Sequence, residues 1–93
     1  MVNGNLDDFL ETVYNGTSLE YSYNGRVFFT ESYWADNQYW MVTYHCDDEG
    51  NDEDYLIKRA FSLDEDVVDY YVNAPIFEGK TFWEAEKDIE WLY

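Results

Sequence analysis

Leu19-Glu20-Tyr21-Ser22-Tyr23-Asn24-Gly25-Arg26-Val27-Phe28-Phe29-Thr30-Glu31-Ser32-Tyr33 is the stretch on which the fold turns. Leu19, Tyr21 and Tyr23 alternate with Glu20 and Ser22, a period of two that predicts a half-buried strand. Asn24-Gly25 is a strong two-residue hairpin signal, because a type I′ turn needs positive φ at both central positions. Arg26 to about Tyr33, rich in Val, Phe, Thr and Tyr, is then the partner strand. A second turn at Ala35-Asp36-Asn37 leads into Gln38-Tyr39-Trp40-Met41-Val42-Thr43-Tyr44-His45, again aromatic and β-branched. Three antiparallel strands in a meander follow.

On the N-terminal side the period is helical. Leu6, Phe9, Leu10, Val13 and Tyr14 fall on one stripe, Asn5 is placed to cap it, and Asn15-Gly16 supplies a left-handed stop. On the C-terminal side, Asp47 to Asp54 holds six acids in eight residues and reads as a solvated loop. Tyr55 to Phe61 is a candidate short fourth strand. Two capping boxes come next, Ser62-Leu63-Asp64-Glu65 and Thr81-Phe82-Trp83-Glu84. The first predicts a helix with Leu63, Val67, Val68 and Tyr71 inward, stopping before Pro75. The second predicts a helix with Phe82, Ala85, Ile89 and Leu92 on one face, running to the C-terminus. The expected architecture is a single α+β domain over 1–93: an N-terminal helix, a three-stranded or, with Tyr55 to Phe61, four-stranded antiparallel meander, and two C-terminal helices.

Charge narrows the function. Twenty-one acidic against five basic side chains give a net charge of −16. Such a chain has no means to displace phosphate counterions, so direct nucleic-acid binding is excluded, as is an anionic membrane surface. Acidic disordered chains are poor in aromatics, whereas this one carries 4 Trp, 10 Tyr and 6 Phe, enough for one modest core. The single Cys46 forms no internal disulfide, the N-terminal residues show no basic n-region, and no stretch approaches a membrane span. A cytoplasmic, soluble protein is expected.

No catalytic constellation stands out. His45 and Cys46 are neighbours, but successive strand residues point to opposite faces. They read as a strand-end histidine beside a small buried thiol. Aligning Gly50 with the sixth position of a twelve-residue calcium loop puts His45 first and Leu56 last, both wrong ligands, so the acidic loop fails that motif. Acid pairs of the glycosidase kind arise by chance in so acidic a chain. No phosphate loop, nucleophile elbow, zinc spacing or cofactor motif is present. The expectation is a protein that is not an enzyme.

The charge itself then becomes the signal. Asp64, Glu65, Asp66 and Asp69 fall on the expected outer face of the second helix, and Glu84, Glu86, Asp88 and Glu90 on the third. Like charges at helical spacing destabilise by a few tenths of a kcal/mol per pair, so folding alone does not ask for them. Laid out in a row, such carboxylates imitate the phosphates of a nucleic-acid strand. The expected partner is thus a basic nucleic-acid-binding protein, met by a monomer or homodimer. The contact residues singled out are Asp47, Asp48, Glu49, Asp52, Glu53 and Asp54 with Asp64, Asp66 and Asp69. The plainer account is that the acids keep an aromatic-rich domain soluble, although net charges of about 2–8 usually suffice. Most of the tyrosines read as core. Exposed Tyr33, Trp34, Tyr39 or Trp91 would instead serve as anchors within a charged rim, on an interaction module using an aromatic sheet face.

In architecture and charge the whole chain resembles small acidic anti-CRISPR proteins that block type II effectors at the basic site reading the PAM duplex. The resemblance implies an inhibitor from a phage or mobile element whose carboxylates stand in for phosphates before Arg and Lys of the effector. Separately, Ala74-Pro75-Ile76-Phe77-Glu78-Gly79-Lys80-Thr81-Phe82-Trp83-Glu84 resembles the C-terminal signature of small uncharacterised bacterial proteins, which implies no activity.

Overall fold

The computed structural model describes residues 1–46 and 55–93. The N-terminal apolar stripe forms α1 (Leu6–Asn15), with Asn5 accepting the Asp8 amide at 3.1 Å as the cap. Phe9 and Val13 are buried, and Leu6 and Leu10 pack partly against the same core. Tyr14, the last residue of that stripe, is exposed instead. The helix ends at Gly16, whose φ of 74° lets its amide turn back to the Val13 carbonyl.

The meander is present as β1 (Leu19–Tyr23), β2 (Arg26–Ala35) and β3 (Gln38–His45). Both connections are two-residue turns with two positive φ values, Asn24 at 50° and Gly25 at 81°, then Asp36 at 53° and Asn37 at 61°. Such turns match the twist of the strands they join. The fourth strand exists and is β4 (Ile57–Phe61), pairing Tyr39 with Phe61 and Thr43 with Ile57. A fifth strand, β5 (Glu90–Trp91), closes the other edge by pairing Tyr21 with Trp91. The sheet order is β4-β3-β2-β1-β5.

Register and burial divide the sheet into two faces. Leu19, Tyr21, Tyr23, Phe28, Met41, Ile57 and Phe61 face the helices and share one core with Phe9, Val13, Tyr71, Phe77, Phe82 and Ile89. Within it runs a chain of hydroxyls: Tyr71 donates to Tyr21 at 2.7 Å, Tyr21 meets Thr30 at 2.7 Å, and Thr30 meets Thr43 at 2.8 Å. All four residues are buried, and the chain satisfies polar groups that would otherwise be costly there. Val42 is also buried yet stands outside this core, because it points to the opposite face.

The C-terminal helices differ from expectation. α2 (Val67–Asn73) starts five residues after Ser62, capped by Asp66, whose Oδ1 accepts the Asp69 amide at 3.0 Å. The box at Ser62 does close, with Glu65 Oε1 accepting the Ser62 amide at 3.3 Å, but it closes a turn and not a helix. Leu63 is therefore not inward: it is 92% exposed. Val67, Tyr71 and Val72 are the residues of α2 that are buried, and Ala74 is extended before Pro75 as its ring requires. α3 (Phe82–Ala85) is one turn long, continues as a 3-10 turn Glu86–Asp88, and stops. It does not reach the C-terminus because Ile89 is extended and the chain joins the sheet, where Trp91 donates its amide to the Val2 carbonyl at 3.0 Å. Ile89 is buried as expected, while Leu92, expected on the same face, is exposed because the chain is extended there. No helix among the described residues is long and apolar enough to cross a membrane.

Candidate functional site

Three surfaces carry the residues that the sequence singled out. The first is a groove where α1 ends, the Asp36-Asn37 turn folds over, and the Ser62–Glu65 turn leaves β4. Trp34 and Tyr39 are cross-strand partners near the tip of the β2–β3 hairpin, with ring centroids 5.4 Å apart and planes inclined by 53°. Both alternate onto the helix-side face, but α1 and α2 do not extend far enough to cover Trp34, which is 64% exposed. With Tyr14 and Leu63 they border two adjoining hollows of about 440 and 350 Å³ that share Trp34, Tyr39, Ser62, Leu63 and Glu65. A methyl group at Gly16 would collide with the Tyr39 hydroxyl, so that glycine also seats the groove's floor.

Beside the groove, Arg59 shows how this fold holds a guanidinium. Its Cζ lies 4.5 Å from the Phe61 ring centroid and 4.7 Å from that of Tyr70, and its Nη2 is 2.7 Å from Glu65 Oε2. The Ser62 amide, and after it Arg59, hold the Glu65 carboxyl below its ordinary pKa. The Ser62 hydroxyl does the same for Asp64.

The second surface is acidic. Asp47, Asp48, Glu49, Asp52, Glu53 and Asp54 lie outside the described residues. The other three expected contacts come together around the start of α2, although not as a row on its outer face. Asp64 sits in the preceding turn and accepts from Ser62 Oγ at 2.8 Å, Asp66 is the cap, and Asp69 lies in the first turn with Asn73 at 3.3 Å. Local structure thus accounts for part of this cluster, since carboxylates suit a helix N-terminus. The expected row on the third helix is dispersed: Glu84 closes the box with Thr81, Glu86 and Asp88 occupy the 3-10 turn, and Glu90 is in β5. Between described residues, two ion pairs form, Met1 amino with Glu86 and Arg59 with Glu65.

The third surface is the sheet face turned away from the helices. Phe29 and Tyr44 lie 5.2 Å apart there, and Tyr44 and Tyr55 5.3 Å. Tyr33, Trp40 and Val42 alternate onto the same side. Of the four expected anchors, Tyr33 and Trp34 are exposed but on opposite faces, Tyr39 is half-buried, and Trp91 packs edge-on against Phe9. Tyr14 and Leu63 join the groove although their spacing places both on apolar helix stripes. The signal for Leu63 was a second cap candidate, Asp66, directly before Val67-Val68.

His45 packs its ring 4.5 Å from Phe28, and Nδ1 is buried with no hydrogen-bond partner. Cys46 is exposed and not buried, because β3 has ended, and its amide donates to the Val27 carbonyl. Among the described residues no group of three or more His, Cys, Asp or Glu side chains is gathered as a metal site would need. No family model, curated protein or solved structure matches this chain.

Proposed function

We propose that this chain is a non-enzymatic acidic binding protein that engages a basic, nucleic-acid-binding partner. Its most concrete form is a nucleic-acid mimic that inhibits a DNA- or RNA-binding effector such as a type II CRISPR nuclease. One observation carries the reading: twenty-one acidic side chains stand against five basic ones, a net charge of −16, and between described residues two of the carboxylates, Glu86 and Glu65, are in ion pairs. A field of that sign steers toward basic surfaces and repels phosphate. Inhibition follows as competition, with carboxylates occupying the Arg and Lys that otherwise bind the duplex. The test is capture of a type II effector, or another DNA-binding protein, on this chain, with elution in salt steps and with duplex DNA as competitor. Release by both is the expected result. Retention that ignores salt and DNA overturns the mimic.

The sheet face turned away from the helices favours a second reading, a regulatory interaction module that binds through exposed Tyr33 and the half-buried Phe29, Trp40 and Tyr44, with charge serving solubility. Partly exposed aromatic rings grouped on one face suit an interaction site. Aspartate in place of Tyr33 then abolishes binding, whereas a mimic tolerates it.

A further inference from the structure

We propose that the groove framed by Trp34, Tyr39, Leu63 and Tyr14 seats an arginine-bearing segment of the partner, its guanidinium lying against the Trp34 and Tyr39 rings. The inference rests on the reading of the chain as a binder of basic proteins and assigns that recognition a place. Four observations converge on it.

Trp34, Tyr14 and Leu63 are 64%, 67% and 92% exposed around one hollow, although each has a large apolar side chain that folding ordinarily buries. The charged side chain lining the hollow is acidic: Glu65, whose Oε2 already meets Arg59, lies on its wall, Asp64 is in the same turn, and the carbonyl end of α1 opens on it with no basic residue in the last turn. The same wall already holds a guanidinium, since Arg59 lies over Phe61 and Tyr70 and pairs with Glu65, and both Phe61 and Glu65 line the groove. The Trp34–Tyr39 pair repeats that aromatic arrangement one strand over, open to solvent.

These features select the occupant. Tryptophan is the best ring for a cation, and Arg stacks on aromatic faces where Lys acts as a hydrated point charge. A nucleobase also stacks on tryptophan, but its phosphates meet a chain of net charge −16. A purely apolar segment would bring no charge to a rim whose charged lining residue is Glu65.

The test titrates the full ¹⁵N-labelled chain with a doubly capped tetra-arginine peptide and, separately, tetralysine of equal charge, at low ionic strength. The tetra-arginine peptide is expected to shift the Trp34 indole and the Leu63 and Gly16 amides. Trp34→Ala weakens it about five- to tenfold, in line with a desolvated cation–π contact. Trp34→Phe restores part of the loss, and tetralysine responds to neither change. An amide spectrum of Trp34→Ala that otherwise overlays the parent shows that the fold is intact. Equal binding of both peptides, unmoved by Trp34→Ala, overturns the groove assignment while leaving the basic-partner reading standing. Failure of both peptides to bind overturns that reading too. A dimer in sedimentation that Trp34→Ala dissociates identifies a second copy as the occupant and overturns the proposal.

Discussion

At the scale of single residues, the hydroxyl chain from Tyr71 through Tyr21 and Thr30 to Thr43 is where one atom matters most. Burial pushes the Tyr21 hydroxyl up to about 12, against weaker pulls from its hydrogen bonds to Thr30 and Tyr71, and raises Tyr71 well above the ordinary value of 10.0. Unfolded tyrosine ionises near 10 while these two stay neutral in the fold, so the unfolded state releases protons first. Their contribution is complete below pH 10 and is lost as pH rises toward the folded values, at about 1.4 kcal/mol per pH unit for each tyrosine. Urea melts between pH 9 and 12 are therefore expected to show stability falling from about pH 10 upward, and Tyr21→Phe to flatten the slope. Thr30→Val breaks the chain in the middle, taking from Thr43 its Thr30 partner and leaving Tyr21 with Tyr71 alone, and is expected to cost about 1–3 kcal/mol. Tyr71→Phe removes only a terminal donor and costs less. Equal costs in urea melts would contradict the account of Thr30 as the link. Gly16→Ala is expected to destabilise by at least about 1 kcal/mol, since it combines a positive φ with a collision against Tyr39.

The elements show what local sequence can and cannot announce. α1 and the two hairpins were legible because period and turn chemistry agree there: the stripe from Leu6 to Val13, Asn24-Gly25, and Asp36-Asn37 each point one way, whereas Tyr55 to Phe61 carries no such signal and leaves the sheet at three or four strands. α2 was misplaced at its start because two caps compete, Ser62 with Glu65 and Asp66 with Asp69. The second wins because it puts Val67 and Tyr71 on the core, whereas the first closes with Arg59 holding Glu65 from β4, a tertiary contact invisible in the local pattern. β5 hides in a helical pattern because Ile89 and Leu92 keep helical spacing, and the edge of β1 that captures Glu90 and Trp91 lies about seventy residues earlier. Asp66→Ala is accordingly expected to cost about 1 kcal/mol in thermal or urea melts, the usual worth of a cap. Ser62→Ala should leave α2 intact. Asp64, Glu65 and Glu84 are each held below their ordinary pKa by hydrogen bonds from Ser62, Ser62 and Arg59, and Thr81 respectively. Their stabilisation is present above the ordinary values of 3.8 for Asp and 4.5 for Glu and is lost as pH falls through the lower folded values. Relative to the parent, Glu65→Gln and Glu84→Gln are expected to lose less of their melting temperature as pH falls below about 4.5, since each lacks one of these carboxylates.

For the whole molecule, the charge was legible at once and the places where it acts were not. Nothing in Leu63 or Tyr14 marks them as exposed until the start of α2 and the end of α1 are known, so the groove belongs to tertiary structure. A net charge of −16 on 93 residues repels itself, and added monovalent salt is expected to raise the melting temperature of the isolated chain by screening that repulsion. The same salt is expected to weaken partner binding, an opposite response that separates steering charge from structural charge. The most direct measurement of the central claim is the affinity of this chain for a captured basic DNA-binding partner, followed from low to physiological ionic strength with and without competing duplex DNA. A steep fall with salt, and displacement by the duplex, is the result that carboxylate recognition of a basic surface predicts. An affinity unchanged across that range, with DNA and this chain bound to the partner together, would contradict it.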